Sequence, residues 1–163
     1  MLKKLLKKFG TVLYVQIWEK KIKVTNISTG EVLEEKALVA IRTQGGKKAI
    51  EAVGNDASLI TDKNITVFEP FVHKRLLLSN FTIAEILLQH EFNLLLKKER
   101  AIFQPRVIIH PMEKIDGGLG QIEIRAFREL AIGAGARDVK VHQGVELSIL
   151  NFDYEALPDD YDL

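Results

Sequence analysis

From Thr11 the apolar residues fall on both parities, with Val12, Tyr14 and Gln16 on one side and Leu13, Val15 and Ile17 on the other. A strand covered on both faces has this pattern, so a central strand is expected here. Residues 21–26 alternate as a half-exposed strand, and Ser28-Thr29-Gly30-Glu31 supplies a turn before Val32-Leu33. A further strand at 38–42 is broken by Gly45-Gly46, and a short one follows near 50–53. The first third of the chain is therefore an antiparallel meander.

Beyond it, Gly54-Asn55-Asp56 is a turn that opens a short helix over 57–60, and 65–68 and 73–78 are expected as short strands around Pro70. Thr82-x-x-Glu85 has the form of a capping box. The apolar set Ile83, Ile86, Leu87, Leu94 and Leu95 predicts a long helix running to about Arg100. Residues 105–110 form a buried strand from which Pro111 forces an exit, and 117–120 form a glycine loop. A second helix over 119–132 turns Ile122, Ala126, Phe127 and Leu130 inward, with Gly133 as its stop. A strand at 138–142 and a third helix from Val145 to Leu150 complete the order. The architecture expected is α/β: a mixed sheet in which the meander is followed by β-α-β-α units with right-handed crossovers.

The 163 residues suffice for one domain with a core. With 23 Lys+Arg against 22 Asp+Glu the net charge is +1, which excludes a generally basic nucleic-acid binder, and no nucleic-acid partner is expected. The balance conceals an asymmetry. Residues 1–10 carry four lysines and no acid, and 153–163 carry five acids and no base. Removing +4 and −5 from the total leaves only +2 on residues 11–152. Three regions are thus expected: a basic segment 1–10, a folded body 11–152 and an acidic, disordered tail 153–163. Cysteine is absent, which removes a disulfide framework and a thiol nucleophile. No apolar run is long enough to span a bilayer and no signal peptide is legible, so a cytoplasmic location is expected.

On a helix, Leu2, Leu5, Leu6 and Phe9 form one stripe and Lys3, Lys4, Lys7 and Lys8 take the other side. Such a segment suits the plane of an anionic bilayer, each lysine contributing about 1 kcal/mol near the surface. The alternatives are a terminal helix docked on its own domain and a frayed end.

Two glycine-rich stretches invite a phosphate-binding reading. Gly133–Asp138 follows a helix and precedes a strand, the reverse of what phosphate binding at a helix start requires, so it reads as a tight turn. Gly117-Gly118-Leu119-Gly120 has the correct context but lacks the following Lys-Ser/Thr, and Asp116 would repel an anion. His110 and His142 lie at the carboxyl ends of predicted strands, where open α/β sheets place ligands. If those strands are neighbours, the imidazoles approach each other and Gln143, as a pair satisfied by hydrogen bonds or as a small-ligand site.

The stretch Arg125-Ala126-Phe127-Arg128-Glu129-Leu130-Ala131-Ile132-Gly133-Ala134-Gly135-Ala136-Arg137-Asp138-Val139 closely resembles a helix, turn and strand of the MreB family of bacterial actin-like shape-determining proteins. So do Pro105–Ile109, Val39–Arg42, Ala52–Ala57, Ile86–His90 and the opening Met1-Leu2-Lys3-Lys4, in family order over about residues 1–150. The resemblance implies the first lobe of an actin-like ATPase (RNase H-like) fold, and it favours membrane contact by Leu2, Lys3, Lys4, Leu5, Leu6, Lys7, Lys8 and Phe9.

The family clasps ATP and Mg²⁺ between two lobes, and the resemblance finds no counterpart here for the second. Where the family has Asp-Leu-Gly-Thr after its first strand, this chain has Gln16-Ile17-Trp18-Glu19. Where the family has Glu-Glu-Pro, it has Gln143-Gly144-Val145, and an acidic family position before the long helix is Asn80. Gln16, Trp18, Glu19, Asn80, Gln143 and Gly144 thus form a degenerate nucleotide site, and neither a catalytic residue, a cofactor nor a metal is expected. The implied function is a non-catalytic cell-shape protein. It would associate with itself, as a dimer, or with MreB-type filaments or other cell-shape proteins at the inner membrane. The alternative is an ATPase subunit whose second lobe comes from another chain.

Overall fold

The computed structural model describes residues 10–96 and 104–158. The basic stripe of residues 2–9 lies outside the described residues, as do the last part of the helix expected to reach Arg100 and residues 159–163 of the tail.

Eight strands and two α-helices are present among the described residues: β1 Val12–Ile17, β2 Lys21–Asn26, β3 Val32–Lys36, β4 Val39–Gln44, β5 Lys47–Val53, β6 Ile65–Phe68, α1 Phe81–Leu95, β7 Arg106–Pro111, α2 Gln121–Gly133 and β8 Asp138–Val141. The strands divide into two sheets, a five-stranded one of order β3-β2-β1-β7-β8 and a three-stranded one of order β5-β4-β6. In the larger sheet β1 pairs antiparallel with β2 and parallel with β7, which pairs parallel with β8, so the meander and the crossover units meet at β1. All six residues of β1 are buried, as its two-sided apolar pattern requires.

The alternation of β1 and β7 defines two faces. Leu13, Val15, Ile17, Val107 and Ile109 point to a front face, where they join the main core with Leu87, Leu88 and Phe92 of α1 and Phe127, Leu130 and Ala131 of α2. Val12, Tyr14 and Ile108 point to a back face and form a second cluster with Tyr154, against which Ile27, Leu147, Phe152 and Leu157 pack. The back face is covered by residues 143–158, an extended strap.

That strap replaces the helix expected over 145–150. Of the apolar residues over 145–150 only Leu147 goes inward, while Val145 remains 83% and Ile149 41% exposed, and the course of the strap is set by bonds to the sheet, His110 to the Gly144 carbonyl, His142 to the Val145 carbonyl and the Leu147 N–H to the Tyr14 hydroxyl. Of the acidic segment expected to be disordered, residues 153–158 are described, and they pack on the back face. Asp153 caps a 3₁₀ turn, Tyr154–Ala156, and Tyr154 is buried against the back face with its hydroxyl on Asp138 at 3.1 Å.

Other expectations shift for local reasons. Residues 73–78 form a loop, not a strand, because Ser79 and Asn80 both donate backbone N–H groups to the Pro70 carbonyl and draw the chain back on itself. The helix expected at 57–60 is a 3₁₀ turn, Asp56–Leu59. The cap of α1 is Asn80, whose side chain accepts from the Ile83 N–H at 3.2 Å, and Thr82 lies inside the first turn. In α2 the predicted Phe127 and Leu130 are buried, with Ala131 and then Ala134 completing the stripe, while Ala126 is half-buried and Ile122, in the first turn, is 86% exposed.

Gly133 is the last residue of α2, and the stop falls two residues later at Gly135, whose φ of 115° is open to glycine but strained for other residues. Gly133 serves the crossing of the helices instead: a Cβ there would stand 2.6 Å from the Glu85 carboxylate, and Gln89 donates to its carbonyl at 3.1 Å. Gly45-Gly46 closes the β4–β5 hairpin as a two-residue loop with positive φ at both positions, and Arg42 braces that small sheet through Glu51 at 2.9 Å and Asp62 at 3.1 Å.

Candidate functional site at the carboxyl ends of the strands

Parallel pairing places the ends of β1, β7 and β8 side by side, with Gln16 in register with His110. On the back face this brings together Tyr14, Gln16, His110, His142, Gln143, Gly144 and Glu146. The two imidazoles do meet, edge to face with ring centroids 4.6 Å apart. His110 is fully buried and spends both nitrogens inside the fold, one 3.1 Å from the Gly144 carbonyl and the other 2.7 Å from the Tyr14 hydroxyl. A carbonyl can only accept, so Nε2 carries the proton and Nδ1 accepts from the hydroxyl, while the Tyr14 oxygen accepts from the Leu147 N–H at 3.2 Å. The chain of bonds needs neutral imidazole. Burial, followed by the neighbouring His142, holds the His110 pKa below its ordinary value. His142 donates to the Val145 carbonyl at 2.9 Å, so both rings pin the start of the strap.

The family-matched positions are likewise engaged. The Gln16 amide donates to Glu146 at 2.9 Å, and Lys23 lies 4.0 Å from the same carboxylate. Gln143 accepts from the Leu119 N–H at 2.7 Å, tying the glycine loop to the strap. Trp18 and Glu19 form the turn between β1 and β2: the Trp18 N–H is bonded to the Lys21 carbonyl at 2.9 Å, and the Lys21 ammonium lies 4.2 Å from the Trp18 ring. The Glu19 N–H is bonded to the Glu113 carboxylate at 2.6 Å. The Glu19 side chain pairs with Lys114, whose ammonium also donates to the His73 carbonyl. Asn80 is used as the cap of α1.

Glu113, Lys114, Glu146 and Tyr14 are the residues that sequence reasoning missed. The local signal for the first two is a charged pair just after the strand-ending Pro111, and Lys114 takes a positive φ of 56°, rare for a residue with a side chain. Among the described residues, no group of three or more His, Asp or Glu side chains is placed to hold a metal ion.

With this geometry in hand, the comparisons with known proteins are specific. Residues 19–150 match the family model described as MreB/Mbl protein. The chain belongs to the MreB/Mbl family. It is 37% identical over 115 residues to the cell shape-determining protein MreB of Pasteurella multocida, an alignment that covers 68% of this chain and 31% of the relative. With the MreB of Escherichia coli strain K12 it shares 33% identity over 144 residues, covering 85% of this chain and 40% of the relative. The chain thus spans about a third to two fifths of the length of these relatives. Among solved structures it resembles MreB5 of Spiroplasma citri bound to ADP, with a TM-score of 0.63 at 18% identity over 82% of this chain and 38% of that one. The AMPPNP-bound form gives a TM-score of 0.64 over 83% of this chain. The likeness establishes the fold as that of a single actin-like lobe. No described helix is long and apolar enough to cross a membrane.

Proposed function

We propose that this member of a cell shape-determining family acts by association, with itself or with MreB-type filaments at the inner membrane, and does not turn over nucleotide. The observation that carries the reading is the Glu113 carboxylate on the Glu19 N–H at 2.6 Å. At the turn after β1, where the family pattern places its phosphate-facing Gly-Thr, a backbone donor is taken by a carboxylate of the chain itself. A phosphate arriving there must displace that carboxylate and meet Glu19 as well, so both charge and hydrogen bonding disfavour it. Two features support association. Ile122, Val145 and Leu150 are 86%, 83% and 88% exposed, and Ile41, Ile50, Phe68, Ile83 and Ile86 line an open apolar groove of about 320 Å³ between the small sheet and α1.

The second reading, an ATPase subunit completed by another chain, is favoured by the fold shared with the ADP- and AMPPNP-bound MreB5 structures. Isothermal titration with ATP and Mg²⁺ separates the two: micromolar affinity would overturn the non-catalytic reading. Association is tested by light scattering of the chain alone and mixed with an MreB. A monomer in both conditions removes it. For the membrane component, sedimentation with anionic vesicles is expected to lose most of its bound fraction when residues 1–9 are deleted.

A further inference from the structure

Two exposed surfaces of the chain are complementary, and they lie on opposite sides of the five-stranded sheet. The first is the apolar groove of about 320 Å³ on the front side, walled by Ile41, Ile50, Phe68, Ile83 and Ile86. Lys48 also stands in its wall, with Lys47 next to it, and among the described residues neither lysine is paired with an acid. Glu51, the acid of the same strand, is turned to Arg42 at 2.9 Å. The groove is therefore an apolar slot beside two uncompensated positive charges. The second surface is the outer side of the strap. Among the described residues, Leu59, Ile122, Val145 and Leu150 are the large aliphatic side chains that protrude furthest. Leu59 follows Ser58, which accepts from the Lys36 ammonium at 3.1 Å, and Ile122 has Arg125 three residues on along α2, so each sits beside a base. The strap differs: residues 143–158 hold Glu146, Asp153 and Glu155 and no lysine or arginine. Arg106 answers Glu155 and Lys23 lies 4.0 Å from Glu146, while Asp153 is paired with no base among the described residues. Leu150, 88% exposed, stands next to Ile149, with Asp153 three residues further on and so at most about 10 Å away along the chain.

We propose that the strap of one copy docks in the groove of the next, with Ile149 and Leu150 in the apolar slot and Asp153 facing Lys47 and Lys48. The inference rests on the reading that the chain associates with itself, and names the two surfaces that meet. A groove-to-groove contact would set the two lysines against their own copies, which charge disfavours. Because the five-stranded sheet stands between the two surfaces, a chain cannot fill its own groove. Nor can two chains close on each other by exchanging both contacts, since surfaces on opposite sides do not face one neighbour. The contact is heterologous and repeats into an open chain or a ring. Two aliphatic side chains bury far less than the roughly 800 Å² a side of a standard interface, so assembly is weak and depends on concentration.

Sedimentation velocity over a concentration series of the full chain, in buffer without vesicles or nucleotide, tests this. The groove variant carries K47E and K48E and the strap variant L150N, all at exposed positions outside both core clusters. The parent is expected to pass from monomer to species larger than a dimer, and a chain with K47R and K48R to do the same. Each variant alone should stay monomeric to at least about tenfold higher concentration, because every junction in it lacks one surface. Mixed, the two should form a 1:1 dimer and nothing larger, joined by the strap of the groove variant in the groove of the strap variant. A mixture that stays monomeric overturns the proposal, as does a parent that stops at a dimer. Assembly of either variant at the parent's concentration also overturns it, leaving self-association standing and the groove to another acidic partner. A parent that is monomeric throughout removes self-association and this inference together, and light scattering with an MreB then decides the other half of the reading.

Discussion

The front and back faces of the five-stranded sheet are held by different physics. On the front, α1 and α2 lay apolar stripes on Val, Leu and Ile of the central strands, and stability comes from area and close packing. On the back, a strap with almost no regular structure is held at a few points: Leu147 on the Tyr14 hydroxyl, Tyr154 on Asp138, Glu155 on Arg106, and the Leu157 carbonyl on Lys140 at 2.6 Å. Each face also buries a titratable group, and the two are of opposite habit. The front holds Glu91, fully buried in the α1 stripe with no hydrogen-bond partner on its carboxylate among the described residues, and the back holds neutral His110. Packing by area tolerates a misplaced acid, whereas a face built on single contacts depends on the state of each.

The largest effect expected of a single substitution is on the front. Leu87→Ala removes a fully buried side chain between helix and sheet and is expected to cost about 3 kcal/mol in urea unfolding. A loss below 1 kcal/mol would mean that the front core relaxes freely and the contrast between faces is misplaced.

Next comes Glu91. Desolvation, with a smaller push from Glu35, raises its pKa to about 8 from 4.5, so the folded state holds a proton that the unfolded state has released across that window. Stability therefore falls as pH rises from about 4.5 through 8, by about 2 kcal/mol between pH 6 and 8. Glu91→Met fills the same space without a charge and should abolish this slope while stabilising the protein at pH 8. A parent chain equally stable at both pH values would place the carboxylate in water.

These two residues also show what the sequence discloses. Leu87 lies on the periodic stripe that predicted α1, as the two-sided pattern predicted β1. Position 91 belongs to the same stripe by spacing, and only its charge concealed it. The back face was harder to read because its bonds join distant positions, Tyr14 with His110, 96 residues apart, and Gln16 with Glu146, 130 apart. At the strand ends, the approach of His110 and His142 was legible because consecutive parallel strands end together. The Glu113 bond to the Glu19 N–H was not, since a carboxylate placed beside another acid runs against any charge pattern.

A smaller effect is expected from Tyr14→Phe. The ring stays in place, but His110 Nδ1 loses its donor and the Leu147 N–H its acceptor, at a cost of about 1–2 kcal/mol. The sharper readout is local. Hydrogen exchange should accelerate in residues 145–157 and remain unchanged in α1, because only the strap is released. Uniform acceleration across both would show that the faces unfold as one.

The smallest expected effect is the acid response of His110, and its sign is opposite to that of Glu91. Its folded pKa lies below 6.5, so below that pH the unfolded state binds the proton more readily, and stability is lost as pH falls from 6.5 towards the folded value. Glu51 and Asp62 lose their Arg42 pairing only below about 4.5, the upper of their ordinary pKa values, which leaves pH 7 to 5 to the imidazole. In the parent the Glu91 slope runs the other way through this range, so the measurement belongs in the Glu91→Met background. There the urea midpoint should fall between pH 7 and 5, and the fall should shrink when His110→Gln is added. A midpoint that stays level would mean that His110 accepts its proton in place, the Tyr14 hydroxyl turning to accept from Nδ1, and that the back face is held by packing as the front is.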